Sequence, residues 1–274
     1  MQSSLTIGFI GGGNMATALI AGLADKLTQA SCIHVVDLNL ENVERLRHQY
    51  GVSATSTMDE KLRKLDVVIF AVKPQQMQQV IADFAPFLGS QLLLSVAAGI
   101  RADDLSRWLG GYQKIVRAMP NTPAMIGKGM SGLFAMAAVN PEQRADVQRI
   151  MQAVGETLWV EQESMIDAVT AISGSGPAYV FYFIEALQEA AVALGFDAKQ
   201  AQQLAMTTFS GAVQLAQQSD DTVQVLREKV TSKGGTTHAA LSSMEQCELK
   251  KIIMQAAQAA ALRGKALGEE FGQS

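Results

Sequence analysis

Gly11-Gly12-Gly13-Asn14-Met15-Ala16 follows the apolar run Leu5-Thr6-Ile7-Gly8-Phe9-Ile10 and places small residues at the spacing G-x-G-x-x-A. Between a strand and a helix, that spacing suits a pyrophosphate. Gly11 permits a sharp turn, Gly13 lets backbone approach the phosphates, and Ala16 lets the helix pack close on the strand. The helix N-terminus then offers free N–H groups and a partial positive charge. Glycine-rich turns are common, so context decides. Here a strand precedes, an expected helix Met15–Leu27 follows, and a second expected strand, Ile33–Val36, ends in an acidic residue, Asp37. The expectation is a dinucleotide site.

Other chemically capable residues fall where an open parallel sheet binds ligands, outside the carboxyl ends of its strands. They are Ala71-Val72-Lys73-Pro74-Gln75, Ala97-Ala98-Gly99 and Met119-Pro120-Asn121-Thr122-Pro123-Ala124. Lys73 could face a phosphate, ribose or carboxamide; a solvated loop lysine is the plainer reading. Asn121 is stiffened by Pro120 and Pro123, which suits an amide that holds a ligand, though Asn also forms ordinary turns. Two later loops, Ser173-Gly174-Ser175-Gly176-Pro177 and Ser232-Lys233-Gly234-Gly235-Thr236-Thr237, are small and hydroxyl-rich, and each precedes an expected helix. Their backbone N–H groups suit a carboxylate. Simple helix capping is the alternative, but two such loops in one region favour binding.

The missing groups narrow the reaction. His34, His48 and His238 are scattered, Cys32 and Cys247 lie far apart, and neither set has metal-ligand spacing. No lysine occurs between Lys128 and Lys199. Hydride transfer to or from an alcohol needs a group for the hydroxyl proton, and the helix expected after Pro177 offers only Tyr179 and Tyr182. An imine is basic enough to arrive protonated and accepts hydride with little acid help. The pattern favours C=N over C=O chemistry.

The positioning elements follow from periodicity. Short apolar runs alternate with amphipathic stretches up to Val160, as in a βαβ sheet; beyond Ser164 every segment reads as helix. The expectation is an α/β Rossmann-like domain over residues 1–161, built on a mostly parallel doubly wound sheet, followed by an all-α domain over 162–274. Ala178-Tyr179-Val180-Phe181-Tyr182-Phe183-Ile184 is apolar around its whole circumference, so its helix must be covered on every side. That implies a homodimer, with a central helix in a monomer as the alternative. The 274 residues carry a net charge of −4, which leaves no footprint for nucleic acid or an anionic membrane. The chain shows neither a signal peptide nor a spanning apolar run, and its two cysteines suit a reducing, cytoplasmic compartment.

With these loops in place, the sequence resembles the pyrroline-5-carboxylate reductases along nearly its whole length. The resemblance rests on Gly8–Ala16, Ala71–Gln75, Arg117–Ala124, Ser173–Val180 and Gly234–Leu241. It implies hydride transfer from NADPH or NADH to 1-pyrroline-5-carboxylate, giving L-proline, in a homodimer that often builds a decamer of five dimers. It places the cofactor on Gly11, Gly12, Gly13, Asn14, Met15, Asp37, Ala71, Val72, Lys73, Pro74, Ala97, Ala98 and Gly99. It places the substrate on Asn121, Ser173, Gly174, Ser175, Gly176, Gly234, Gly235, Thr236 and Thr237, with Thr237 as the catalytic hydrogen-bond donor.

Three residues depart from the family pattern. Asp37 stands where NADPH-using members tend to carry Ser, Thr or Arg, Met58 where Asn is frequent, and Lys233 where Pro is usual. A carboxylate repels a 2′-phosphate, so NADH should serve at least as well as NADPH. A reductase of another small cyclic imine, and a catalytically silent dinucleotide sensor, are the remaining alternatives.

Overall fold

The structure is a computed structural model and describes residues 5–272. Among these, eight strands form one sheet: β1 (Ile7–Ile10), β2 (Ile33–Val36), β3 (Ser53–Thr55), β4 (Val67–Phe70), β5 (Leu92–Ser95), β6 (Ile115–Met119), β7 (Gly129–Ala135) and β8 (Gly155–Trp159). Their spatial order is β3-β2-β1-β4-β5-β6-β7-β8. Neighbours from β3 through β6 pair in parallel, β7 runs antiparallel to β6, and β8 follows β7 in parallel. The order reverses between β1 and β4, which is the switch point of a doubly wound sheet.

Strands buried on both faces explain the uninterrupted apolar runs. Ile7, Phe9, Val67 and Ile69 join one core with α1 (Asn14–Leu23), α2 (Leu40–Tyr50) and α5 (Pro141–Gln152). Ile10, Val68 and Phe70 join the other with α3 (Met77–Phe84) and α4 (Ala102–Trp108). Alternate residues of one strand thus serve opposite layers, as the period of two requires.

By its internal contacts the chain forms two compact units: one runs to Ser175 and takes back the segment from Ala259, and the other is Gly176–Gln258. The first therefore keeps α6 (Met165–Val169), which lies beyond the change of sequence pattern. Arg117 on β6 explains why. It is 3% exposed and reaches Glu163 at 3.1 Å and Asp167 at 3.2 Å. Glu163 also accepts the Ala102 N–H at 2.6 Å. A buried guanidinium needs such partners, because leaving it unpaired is costly.

The second unit holds α7 (Gly176–Ala193), α8 (Ala198–Gln218), α9 (Val223–Lys229), α10 (Thr236–Gln246) and the start of α11 (Leu249–Gly272). No residue of α7 is buried within the chain, and Phe181 and Tyr182 remain 64% and 70% exposed. The last turns of α11 belong to the first unit. There Gly268 leaves room for the Arg101 guanidinium, Leu267 and Phe271 cover Gly99, and Arg107 donates to the Gly272 carbonyl.

His34 on β2 is buried, and the fold perturbs its titration. Its Nδ1 lies 3.0 Å from Ser53 Oγ. Burial pushes its pKa below the usual 6.5; Asp59 opposes the shift and Lys61 reinforces it. The unfolded chain then takes up the proton first, so stability is complete above that ordinary value and declines as pH falls toward the lower folded one. Denaturant melts between pH 7 and about 5.5 should show this slope in the native chain and a flatter one in His34→Gln. Equal slopes would contradict it.

Candidate active site

The turn between β1 and α1 sits at the switch point, wedged between the ends of β2 and β4. Gly11 has φ +100° and donates its N–H to Val36 O at 2.8 Å. A Cβ there would stand 2.7 Å from Ala71 O and 3.0 Å from Val72 Cγ1. Both the dihedral and the space demand glycine. Gly12 N donates to Asp37 Oδ2 at 2.6 Å, so the first acidic residue after β2 is bonded directly to the turn. Asp37 also accepts from Asn39 N at 2.7 Å and Asn42 Nδ2 at 3.1 Å.

Gly13 differs from its neighbours. Its backbone has φ −72°, and a Cβ added there would meet no atom within 4 Å. Sterics inside the chain therefore leave this position free, and an approaching ligand is what would require glycine. Gly13 N-caps α1 without a side-chain hydrogen bond, and no acidic residue occupies the first turn. The first-turn amides of Asn14 and Met15 are left without a side-chain cap and have the helix dipole behind them, the chemistry of an anion site. These residues fit a dinucleotide pyrophosphate.

Ala71, Val72, Lys73 and Pro74 leave the end of β4 beside Gly11, with Lys73 exposed at the head of a short 3-10 turn. Ala97, Ala98 and Gly99 leave β5; Ala97 N donates to Ser95 Oγ at 3.4 Å, and Gly99 is buried with φ +75°. Met58 packs against the second core cluster. Sequence reasoning missed Arg45, which donates to Gly12 O at 3.2 Å, Thr17 Oγ1 at 3.2 Å and Asn42 Oδ1 at 3.1 Å. Its spacing of three from Asn42 on α2 was the available signal.

Asn121 and Ser173, remote in sequence, meet. The Asn121 amide nitrogen lies 3.2 Å from both Ser173 O and Ser173 Oγ, while its oxygen accepts Met130 N at 3.0 Å. Residues Thr170–Gly174 form a wide π-helical turn, which takes in the first two residues of the loop expected at Ser173–Pro177. Ser175 N closes it on Thr170 O at 2.8 Å.

Gly176, Gly234, Gly235, Thr236 and Thr237 belong to the second unit. Gly234 has φ +76°, and Gly235 caps α10 without a side-chain hydrogen bond. Thr237 is half-buried in the first turn of α10, whereas Thr236, His238 and Lys233 are exposed. This loop again presents uncapped amides, now flanked by two hydroxyls, a chemistry suited to a carboxylate.

Sheet order, a ligand-shaped turn at the switch point and an uncapped α1 define a dinucleotide-dependent oxidoreductase with an appended helical domain. The family description "NADP oxidoreductase coenzyme F420-dependent" matches residues 6–99, and "Pyrroline-5-carboxylate reductase dimerisation" matches 163–267. The pyrroline-5-carboxylate reductase of Pseudomonas aeruginosa is 40% identical over 273 residues, covering 99% of this chain and all of that one. A solved structure of a Coxiella burnetii pyrroline-5-carboxylate reductase superposes with TM-score 0.90 at 38% identity, over 97% of this chain and 99% of that one. The Plasmodium falciparum enzyme with NADP bound gives 0.86 at 32% identity, over 98% and 99%. The chain belongs to the pyrroline-5-carboxylate reductase family.

The contrast between the first and third glycines is testable. Gly13→Val should leave the melting temperature within about 2 °C of the parent, as for substitutions that disturb no contact, yet weaken NADH binding at least roughly tenfold. Gly11→Val should lower both. Unchanged NADH affinity in Gly13→Val, measured by fluorescence titration, would remove Gly13 from the cofactor site.

Proposed function

We propose that this chain performs the last step of proline synthesis, reducing the C=N bond of 1-pyrroline-5-carboxylate to L-proline with NADH or NADPH. The observation that carries it is the full-length likeness to pyrroline-5-carboxylate reductases, combined with a first turn shaped for a dinucleotide. When bound, the reduced nicotinamide supplies the hydride.

The chain's own residues bind and orient. Gly11, Gly12, Gly13, Asn14 and Met15 hold the pyrophosphate through backbone N–H groups, and Asp37 receives the ribose hydroxyls. Ala71 to Pro74 and Ala97 to Gly99 line the nicotinamide side. The amides around Gly234, Gly235, Thr236 and Thr237 take the substrate carboxylate. Ser173, Gly174, Ser175 and Gly176 border the pyrroline ring with Asn121 nearby. The Thr237 hydroxyl donates to the carboxylate, or to the ring nitrogen once hydride transfer has given that nitrogen a lone pair. No side-chain acid is required, because a pyrroline nitrogen is basic enough to enter protonated.

Residues 1–161 serve as the dinucleotide domain and 162–274 as the dimerisation and substrate domain, a division supported by the family match that begins at residue 163. The exposed apolar surface of α7 supports a homodimer, with five such dimers building a decamer. Free Cys32 and Cys247 accord with a reducing cytoplasm. Among the described residues no helix is long and apolar enough to cross a membrane.

Two outcomes are expected. In kcat/KM, NADH should equal or exceed NADPH, and Asp37→Ser should move the ratio toward NADPH; a tenfold preference of the native chain for NADPH would defeat the role given to Asp37. Thr237→Ala should lower kcat/KM on pyrroline-5-carboxylate by roughly 10- to 100-fold, the range for a hydrogen bond to a charged group. Full activity in that variant would remove Thr237 from the site.

A further inference from the structure

Between β6 and β7 the chain turns back over the carboxyl end of the sheet, and Asn121 opens that turn in extended conformation, φ −132° and ψ 169°. A free amide at a strand end suggests a ligand contact. Here the amide is already engaged. Its two N–H groups face Ser173 O and Ser173 Oγ, and its oxygen accepts Met130 N. Ser173 Oγ in turn donates to Met130 O at 3.3 Å. Asn121, Met130 and Ser173 form a closed ring of hydrogen bonds.

The sequence explains why the ring is needed. In a continuous α-helix the Ser173 carbonyl would receive the N–H of the residue four positions on. That residue is Pro177, which has none. At this junction the Ser173 carbonyl accepts from the Asn121 side-chain N–H. Shape seats the same segment on the two strands: a Cβ on Gly132 would stand 2.7 Å from Val169 Cγ1, and one on Gly174 would stand 2.5 Å from Met119 Cε. π turns of this kind recur at functional sites, and this one runs straight into Ser175 and Gly176.

We infer that Asn121 is a positioning residue: it does not hold the substrate itself but fixes the π turn that presents Ser173 to Gly176 to it. The inference rests on the substrate assignment above for its kinetic readout, though not for its structural one. The discriminating variant is Asn121→Asp, nearly isosteric, which still accepts from Met130 N but cannot donate to Ser173.

Asn121→Asp and Asn121→Ala should both raise KM for pyrroline-5-carboxylate roughly tenfold, the scale of one lost hydrogen bond, and leave KM for NADH within about twofold. The loss in Asn121→Ala/Ser173→Ala should fall short of the product of the single losses, as for residues sharing one network. Amide hydrogen exchange across residues 170–176 should quicken at least about tenfold in Asn121→Asp while residues 14–23 keep their protection. Native kinetics in Asn121→Asp, multiplicative losses in the double variant, or unchanged exchange would each overturn the inference. Should the native chain fail to reduce pyrroline-5-carboxylate, the proposed function falls and the exchange measurement alone still decides the role of Asn121.

Discussion

Everything at the ligand end of the sheet depends on one crowded passage. The backbone leaving β1 must turn into α1 between the ends of β2 and β4, within reach of Val36 O on one side and Ala71 O on the other. Only a residue without a side chain and free to take positive φ passes there. Once Gly11 makes that turn, the rest follows by geometry. Gly12 N meets Asp37, and Arg45 closes over the Gly12 carbonyl. α1 starts with its amides uncapped by any side chain. A strand-order reversal, which is a topological fact, becomes a binding site through this one steric constraint.

A second set of constraints seats the start of the helical half. Arg117 on β6 engages Glu163 and Asp167, and Asn121, two residues past the same strand, engages Ser173. Ionic and neutral contacts thus hold the two ends of one segment, 163–174, against β6 and the turn that follows it. A buried ion pair contributes less to net stability than to the choice of one arrangement. That suits a segment leading into a ligand loop. Beyond it, α7 presents Phe181 and Tyr182 outward, which a dimerising helix requires and an isolated chain would not favour.

Much of the architecture was legible because a parallel sheet buries both faces. Ile33–Val36 was expected as a short, mostly apolar strand, and β2 stands at those bounds. α4 was not legible: seven residues, Ala102–Trp108, are too few for a helical period to emerge. The π turn was hidden for another reason. Pro177 reads as an ordinary first helical residue, and only the folded chain shows that the Ser173 carbonyl turns to Asn121. Asn121 itself read as a free amide, since its partners lie 9 and 52 positions away. Glycine spacing disclosed the first turn, whereas the bonding that anchors it through Asp37, Asn42 and Arg45 depends on where α2 lands.

Reduction of the pyrroline C=N bond is the claim from which the other assignments take their meaning, and the path of the hydride tests it most directly. Purified chain would be incubated with 1-pyrroline-5-carboxylate and NADH carrying deuterium on both C4 positions, and the product examined by mass spectrometry and NMR. The expected product is proline bearing one deuterium at C5, the former imine carbon, formed in step with the loss of reduced nicotinamide. Unlabelled proline, or oxidation of NADH without proline, would contradict it.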